Sequence, residues 1–481
     1  MQKEFLTYID EHQEDLFKDL AEVISKKSVG AEAVTKNGKY MPFGEDVQNA
    51  FEAMLGIADR DGFKTKNVDN YGGHIEFGQG EEILGILGHL DVVPEGIGWE
   101  TPPYEPDIRN GRMYGRGTSD DKGPVMAAYY AMKALKETGF EPAKRVRIIL
   151  GLDEETNWEG IEYYLKHEEA PTLGFTPDAN FPAIMAEMGI GVFDIAKKFG
   201  KNTNKGLELR SVDGGDASNM VASHARAVVR DEIGGYDAIK EAVAAYRQET
   251  GYKINCKGVG KSFEITTEGV AAHGAMPEKG LNAISILMEF LGRLSFVNED
   301  AADFVEFYNR YIGFDLHGDK IGCGLEDEIS GKLIFNVGVL KMDTESATLT
   351  INVRYPVTCN MDQVYDGMQP YCDEYNVGIM KEPGQAPIYK PADDPLVATL
   401  MDVYKEHTGD VDSKPLVIGG GTYARATDNI VAYGILFPGD PEVEHMPNEY
   451  VPLDKLVLST KIFADAIYRL TKGEEEMPEE K

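Results

Sequence analysis

Two apolar runs, residues 83–87 in EILGILGHLDVV and residues 148–150 in RVRIILGLDEE, flank the helical pattern DKGPVMAAYYAMKALKETGF. Strands that are apolar throughout need cover on both faces, and a helix connecting two of them leaves them parallel. Within the helical pattern Pro124 sits in the first turn, Val125, Tyr129, Met132 and Leu135 share a face, and Gly139 is the stop. The unit strand, helix, strand predicts an α/β layer with a mostly parallel sheet.

From Gly189 the texture changes. Strand-like GVFDIAKKF, a helix over 236–250, KSFEITTEGV, a helix from Asn282, KLIFNVGVLK, ATLTINVRY and a helix over 361–375 succeed one another in an α+β rhythm. After EPGQAPIYKPADDP the first texture returns, with a helix over 396–407 and strands at PLVIGGG and AYGILFPG. The prediction is one α/β domain in two parts, 1–187 and 385–481, with an α+β domain inserted over 188–384. The terminal GEEEMPEEK reads as a charged tail.

Composition narrows the function. The chain has 481 residues, 48 Lys+Arg and 82 Asp+Glu, hence a formal charge of −34. Such a surface repels phosphate backbones and anionic lipid, so neither nucleic acid nor membrane is expected as a partner. With 42% hydrophobic residues the chain can bury a core and is not disordered. Cys256, Cys323, Cys359 and Cys372 match no redox or zinc-knuckle spacing and read as reduced, mostly buried thiols. The opening MQKEFLTYIDEHQEDLFKDL lacks the features of a leader, and a cytoplasmic location is expected.

Metal-competent side chains fall at the ends of the predicted strands. His89 and Asp91 follow one, Glu154 and Glu155 end another, Asp178 follows LGFTP, His445 follows YGILFPGD, and Asp120 and Asp121 precede the helix. Ligands of open α/β sheets bind at the carboxyl ends of strands, so these segments are candidates for one crevice. Imidazole and carboxylate suit zinc, with manganese or cobalt as substitutes, and several acids together can hold two cations. Two such ions about 3.5–4 Å apart can bridge a water and polarise a carbonyl, which is the chemistry of amide hydrolysis. Taken singly, each group has an ordinary explanation. Asp120-Asp121 reads as an N-cap, Glu154-Glu155 as an acidic first turn and Asp178 as a turn residue.

GHLDVVPEG, YGRGTSDDKGP, DEETNWEG and GGGTYAR together resemble the co-catalytic zinc metallopeptidase family of acetylornithine deacetylase and succinyl-diaminopimelate desuccinylase. The likeness is nearest its bacterial dipeptidase V (carnosinase-like) branch and covers most of the chain. It implies a catalytic domain with an inserted lid, and two Zn2+ ions, with His89 and Asp178 on one, Glu155 and His445 on the other and Asp120 bridging. It further implies that Asp91 orients the His89 ring, that Glu154 is the general base, and that the Asp120–Asp121 peptide bond is cis. From the insertion, Asn219 and His273 are implied as oxyanion donors and Arg354 as the grip on a substrate carboxylate. Gly420, Gly421 and Thr422 are candidates to donate backbone N–H groups to the same end of the substrate. Without the resemblance, His273 reads as a loop histidine, Arg354 as a surface strand cation and Asn219 as a turn residue.

The expectation is a metal-dependent dipeptidase acting on unblocked dipeptides, monomeric by analogy because the enlarged lid stands in for the dimer contact of smaller relatives, with the lid closing during turnover. The alternatives are an N-acyl amino-acid deacylase with the same metal site, a non-catalytic peptide-binding relative, and a dinuclear phosphoesterase, which the acidity disfavours. Gly115-Arg116-Gly117 lacks the rest of a dinucleotide fingerprint, and GGGTYAR lacks the Lys-Ser/Thr of a phosphate loop. Tyr423 and Arg425 flank the glycine loop and are read mainly as its support.

Overall fold

The computed structural model describes residues 2–231 and 235–473; all but the first residue of the GEEEMPEEK tail lie outside them. The chain divides into two compact units. The first comprises residues 1–185, 390–416 and 421–481, and the second residues 186–389 and 417–420.

The sheet of the first unit is parallel at its centre. Ile83–His89 lies between Arg145–Gly151 and Leu173–Thr176, and the last of these pairs in turn with Ile430–Ala432, all in parallel. Gly72–Phe77 and Lys64–Val68 extend one side antiparallel, and Ile184 pairs antiparallel with Ala432 on the other. The sheet is therefore mixed, with the parallel order confined to the strands joined by crossovers. Every residue of Ile83–His89 is buried, as its unbroken apolar run requires.

The connecting helix spans Lys122–Glu137 and stops before Gly139, whose φ of +79° suits glycine. It packs on Leu453–Thr471, and both helices lie against the two central strands. Their side chains, with those of Gln2–Glu11 and Gln13–Ile24, close a core around Phe5, Leu20, Met132, Phe175 and Phe463. Among the described residues no helix is long and apolar enough to cross a membrane. All four cysteines are free thiols, with Cys323 and Cys372 buried.

The AYGILFPG segment differs from expectation. The strand is Ile430–Ala432; Tyr433 still donates its N–H to the Thr176 carbonyl at 2.8 Å, and beyond it Leu436 pairs with Asn180 in an isolated parallel bridge. Gly434 lies so close to the Ala179 main chain that a Cβ would sit 1.8 Å from its carbonyl oxygen, and Asp440 accepts from the Phe437 N–H in a turn. An apolar run here fills a packed loop.

The second unit is an eight-stranded sheet in which each strand pairs antiparallel with its neighbours. Helices Asp237–Thr250, Ala283–Leu291, Glu299–Tyr311 and Met361–Glu374 accompany it around a separate core that includes Tyr246, Leu287, Phe304 and Val364. Where the chain enters and leaves this unit, Ala186 pairs with Tyr389 and Glu187 with Ile388, so the two crossings are neighbouring antiparallel strands.

Candidate metal centre

Parallel order brings three carboxyl ends to one edge of the first unit's sheet: His89 closes its strand, Glu154 and Glu155 follow Gly151, and Asp178 follows Thr176. The helix Lys122–Glu137 starts at the same edge and carries Asp120 and Asp121 immediately before it. The peptide bond between these two aspartates is cis.

His89 is fully buried. Its Nε2 lies 3.0 Å from Asp120 Oδ1 and 3.6 Å from Asp178 Oδ2. His445 Nε2 lies 2.9 Å from Asp120 Oδ2 and 3.0 Å from Glu155 Oε1. Asp120 thus faces one imidazole with each oxygen. Among the described residues, two groupings have ligand atoms within 4.8 Å of one another: His89, Glu154 and Asp178, and His89, Asp120 and Glu155.

The surroundings orient these groups. His89 Nδ1 is 3.0 Å from the main-chain carbonyl of Asp91 and 3.3 Å from its carboxylate, which places the ring proton there and turns the Nε2 lone pair to the cluster. Asp91 Oδ2 accepts from the Glu155 N–H at 3.1 Å, tying the two strand ends together. Asp121 does not cap the helix; its Oδ2 accepts from the His89 N–H at 2.9 Å. Gly88 makes that approach possible, because a Cβ there would stand 2.6 Å from the same oxygen. Glu154 and Glu155 are not a helical first turn either, since that helix begins at Glu159. Asp153 accepts from the Gly160 N–H and holds the intervening turn.

The electrostatics call for positive charge. Burial pushes Glu154 up to about 9, with the carboxylates of Asp178, Glu155 and Asp120 adding to it and His89 opposing. Asp178 is raised by burial and by Asp120. Burial works against ionised Asp120, but the imidazoles of His445 and His89 beside it hold its carboxyl well below the ordinary range. His89 Nε2 and Asp120 Oδ1 are buried and face each other at 3.0 Å without a hydrogen bond between them. Two lone-pair donors so placed, ringed by further acids, fit a shared cation.

Two further residues, Arg116 and Glu449, escaped the reading of the sequence. Glu449 Oε1 accepts from the N–H groups of Gly117, Ser119 and Asp120, while its Oε2 meets Arg116 at 2.6 Å. Tyr423 also proves central. Its ring meets those of His89 and Trp158 edge-on, and it covers Gly151, where a Cβ would overlap the phenol.

The second unit gathers its own candidates. Met220 bridges His273, and the Gly274 N–H donates to the Asn219 carbonyl at 2.6 Å, so Asn219 and His273 stand on paired loops. Asn336 donates to the carbonyls of Ser218 and Met220 on either side of Asn219. The Ala275 N–H donates to His273 Nδ1, which leaves the ring proton on Nε2 as a donor. Arg354 is buried in its strand and is no surface cation. A Cβ on Gly419 would stand 3.6 Å from Arg354 Cγ. Of the glycine loop, Gly420 belongs to this unit, while Gly421 and Thr422 belong to the first, where Thr422 accepts from the Ala424 N–H and caps a short turn.

Residues 85–469 match the model of peptidase family M20/M25/M40. The chain is 39% identical to "Putative dipeptidase YtjP" of Bacillus subtilis over 96% of its own length and 98% of that protein's. It is 38% identical, with the same coverage, to a "Putative dipeptidase" of Staphylococcus epidermidis. Among solved structures it resembles aminoacylhistidine dipeptidase of Vibrio alginolyticus, with a TM-score of 0.56 at 15% identity over 97% of both chains. Human carnosine dipeptidase 1 aligns over 97% of this chain and 98% of that one, with a TM-score of 0.53 at 15% identity.

Proposed function

The chain belongs to peptidase family M20/M25/M40 and is a metallopeptidase; from that premise we propose that it hydrolyses the peptide bond of unblocked dipeptides at a two-cation centre. The observation carrying this is the convergence of His89, Asp120, Glu155, Asp178 and His445 at one sheet edge, with Asp120 presenting one oxygen to each imidazole. His89 and Asp178 would hold one ion and Glu155 and His445 the other, with Asp120 shared between them. Zinc suits this donor set, and manganese or cobalt can replace it. When bound, the cations supply Lewis-acid polarisation of the scissile carbonyl and acidify a water.

The protein's own groups do the rest. Asp91 fixes the His89 tautomer, so the ring offers Nε2 to the ions. With positive charge beside it offsetting the burial that raises it, the Glu154 carboxylate takes a proton from the attacking water and delivers it to the leaving amine. Asn219 and the Nε2–H of His273 serve as donors to the developing oxyanion, Arg354 binds the free carboxylate, and Gly420, Gly421 and Thr422 add main-chain donors to that end. The inserted unit acts as a lid in a cytoplasmic monomer.

The test is an assay of the metal-loaded protein on free and N-acetylated dipeptides. Turnover of free dipeptides alone is expected. Preference for the acetylated series would make it a deacylase, and binding without turnover of either would make it a peptide-binding relative. Light scattering should give one 53.1 kDa chain per particle.

A further inference from the structure

We infer that the buried Arg116–Glu449 pair is a positioning device for the metal centre, holding the loop of Asp120 and the loop of His445 in one geometry. The inference rests on the reading of that centre given above.

Three loops meet at this pair. Glu449 lies four residues beyond His445 and gathers, on one oxygen, the N–H groups of Gly117 at 3.0 Å, Ser119 at 2.8 Å and Asp120 at 3.2 Å. Its other oxygen meets Arg116 at 2.6 Å. The guanidinium reaches on to the carbonyl of Met446, beside His445, and to those of Pro94 and Glu95, beyond His89 and Asp91. Both side chains are almost completely buried.

Stability alone is a poor reason for such a pair. Removing two charges from water costs about as much as their attraction returns, and apolar replacements of similar volume are often neutral. The geometry supplies another reason. A carboxylate with three converging N–H donors fixes the main chain of Asp120, and a planar five-donor cation spans the loops on either side. Asp120 and His445 must stay 2.9 Å apart across loops 325 residues distant in sequence (445 − 120). Groups that orient ligands in this way typically change metal affinity by about 10–100-fold when replaced.

The experiment titrates metal-free protein with Zn2+ against a chromophoric chelator, alongside thermal melting of the metal-free form and dipeptide kinetics. The variants are Glu449→Gln, the double variant Arg116→Met with Glu449→Gln, and His445→Ala. The double variant removes both buried charges together while the amide carbonyl introduced by Glu449→Gln remains an acceptor for the three N–H groups, so it tests the inference even if Glu449→Gln alone does not fold. Expected for the double variant are a melting point close to wild type, about tenfold or greater loss of Zn2+ affinity, and a fall in kcat with KM within about threefold. Unchanged affinity in the double variant, whatever its melting point, overturns the inference. His445→Ala separates this from the premise: if it loses Zn2+ while the double variant does not, only the positioning role fails. If His445→Ala and wild type bind Zn2+ alike, the metal centre and the inference fall together.

Discussion

Glu154 and Glu155 are adjacent in sequence yet differ in what surrounds them. Glu155 is 3.0 Å from His445 and donates its N–H to Asp91, whereas Glu154 is pushed up to about 9 by burial and the acids around it. Glu154→Ala is therefore expected to lower kcat by at least about 10²-fold with near-normal metal content by elemental analysis; loss of the metals instead would make Glu154 a ligand. Which candidates sit at strand ends was readable from the apolar runs, because His89, Glu155 and Asp178 directly follow them. The role of Asp121 was not, since an acid before a helix reads as a cap until the His89 N–H is found 2.9 Å from it. Arg116 and Glu449 were beyond reach altogether: a pair 333 residues apart leaves no local pattern.

At the scale of elements, close approach governs what the central strands tolerate. A Cβ at Gly88 would lie 2.4 Å from Val125 Cγ2 and 2.6 Å from Asp121 Oδ2. Gly88→Ala should cost about 1–3 kcal/mol in denaturant unfolding, with Val125→Ala recovering part of it because the contact with Asp121 remains. The strand Gly72–Phe77, which pairs with Arg145–Gly151, buries His74 against the Tyr164 hydroxyl at 2.8 Å. Burial, then Arg147, Lys66 and Arg145, push its imidazole down to about 3. The folded ring stays neutral while the unfolded chain takes up a proton near pH 6.5, so the stability tied to this group is complete above about pH 6.5. It is lost as pH falls toward 3, at no more than about 1.4 kcal/mol per pH unit. Urea unfolding from pH 7 to 5 should show a shallower slope for His74→Gln than for wild type. The helix Lys122–Glu137 and its flanking strands follow directly from hydrophobic periodicity. AYGILFPG does not behave as a strand, because local apolarity cannot tell a sheet interior from a packed loop.

For the whole molecule, metal and fold are linked. Ions that bind the folded chain and not the unfolded one stabilise it by about 2.7 kcal/mol at 100 times the dissociation constant. Chelation is expected to abolish turnover and lower the melting point, and Zn2+ should restore both; a melting point indifferent to chelator and Zn2+ would count against a metal bound among these residues. Hydrophobic pattern alone was enough to place two central parallel strands, their crossover helix and the positions of His89, Glu154 and Glu155 at those strand ends, because each depends on residues close together in the chain; it misplaced His445, which follows a packed loop and not a strand. Motif likeness added the pairing of those residues into a centre. What folding alone settled is where distant segments touch: the two faces of Asp120, the seat of Asp121 under His89, and the carboxylate of Glu449 gathering the loop of Asp120. Those contacts follow from packing in three dimensions, where separation along the chain no longer limits which groups meet.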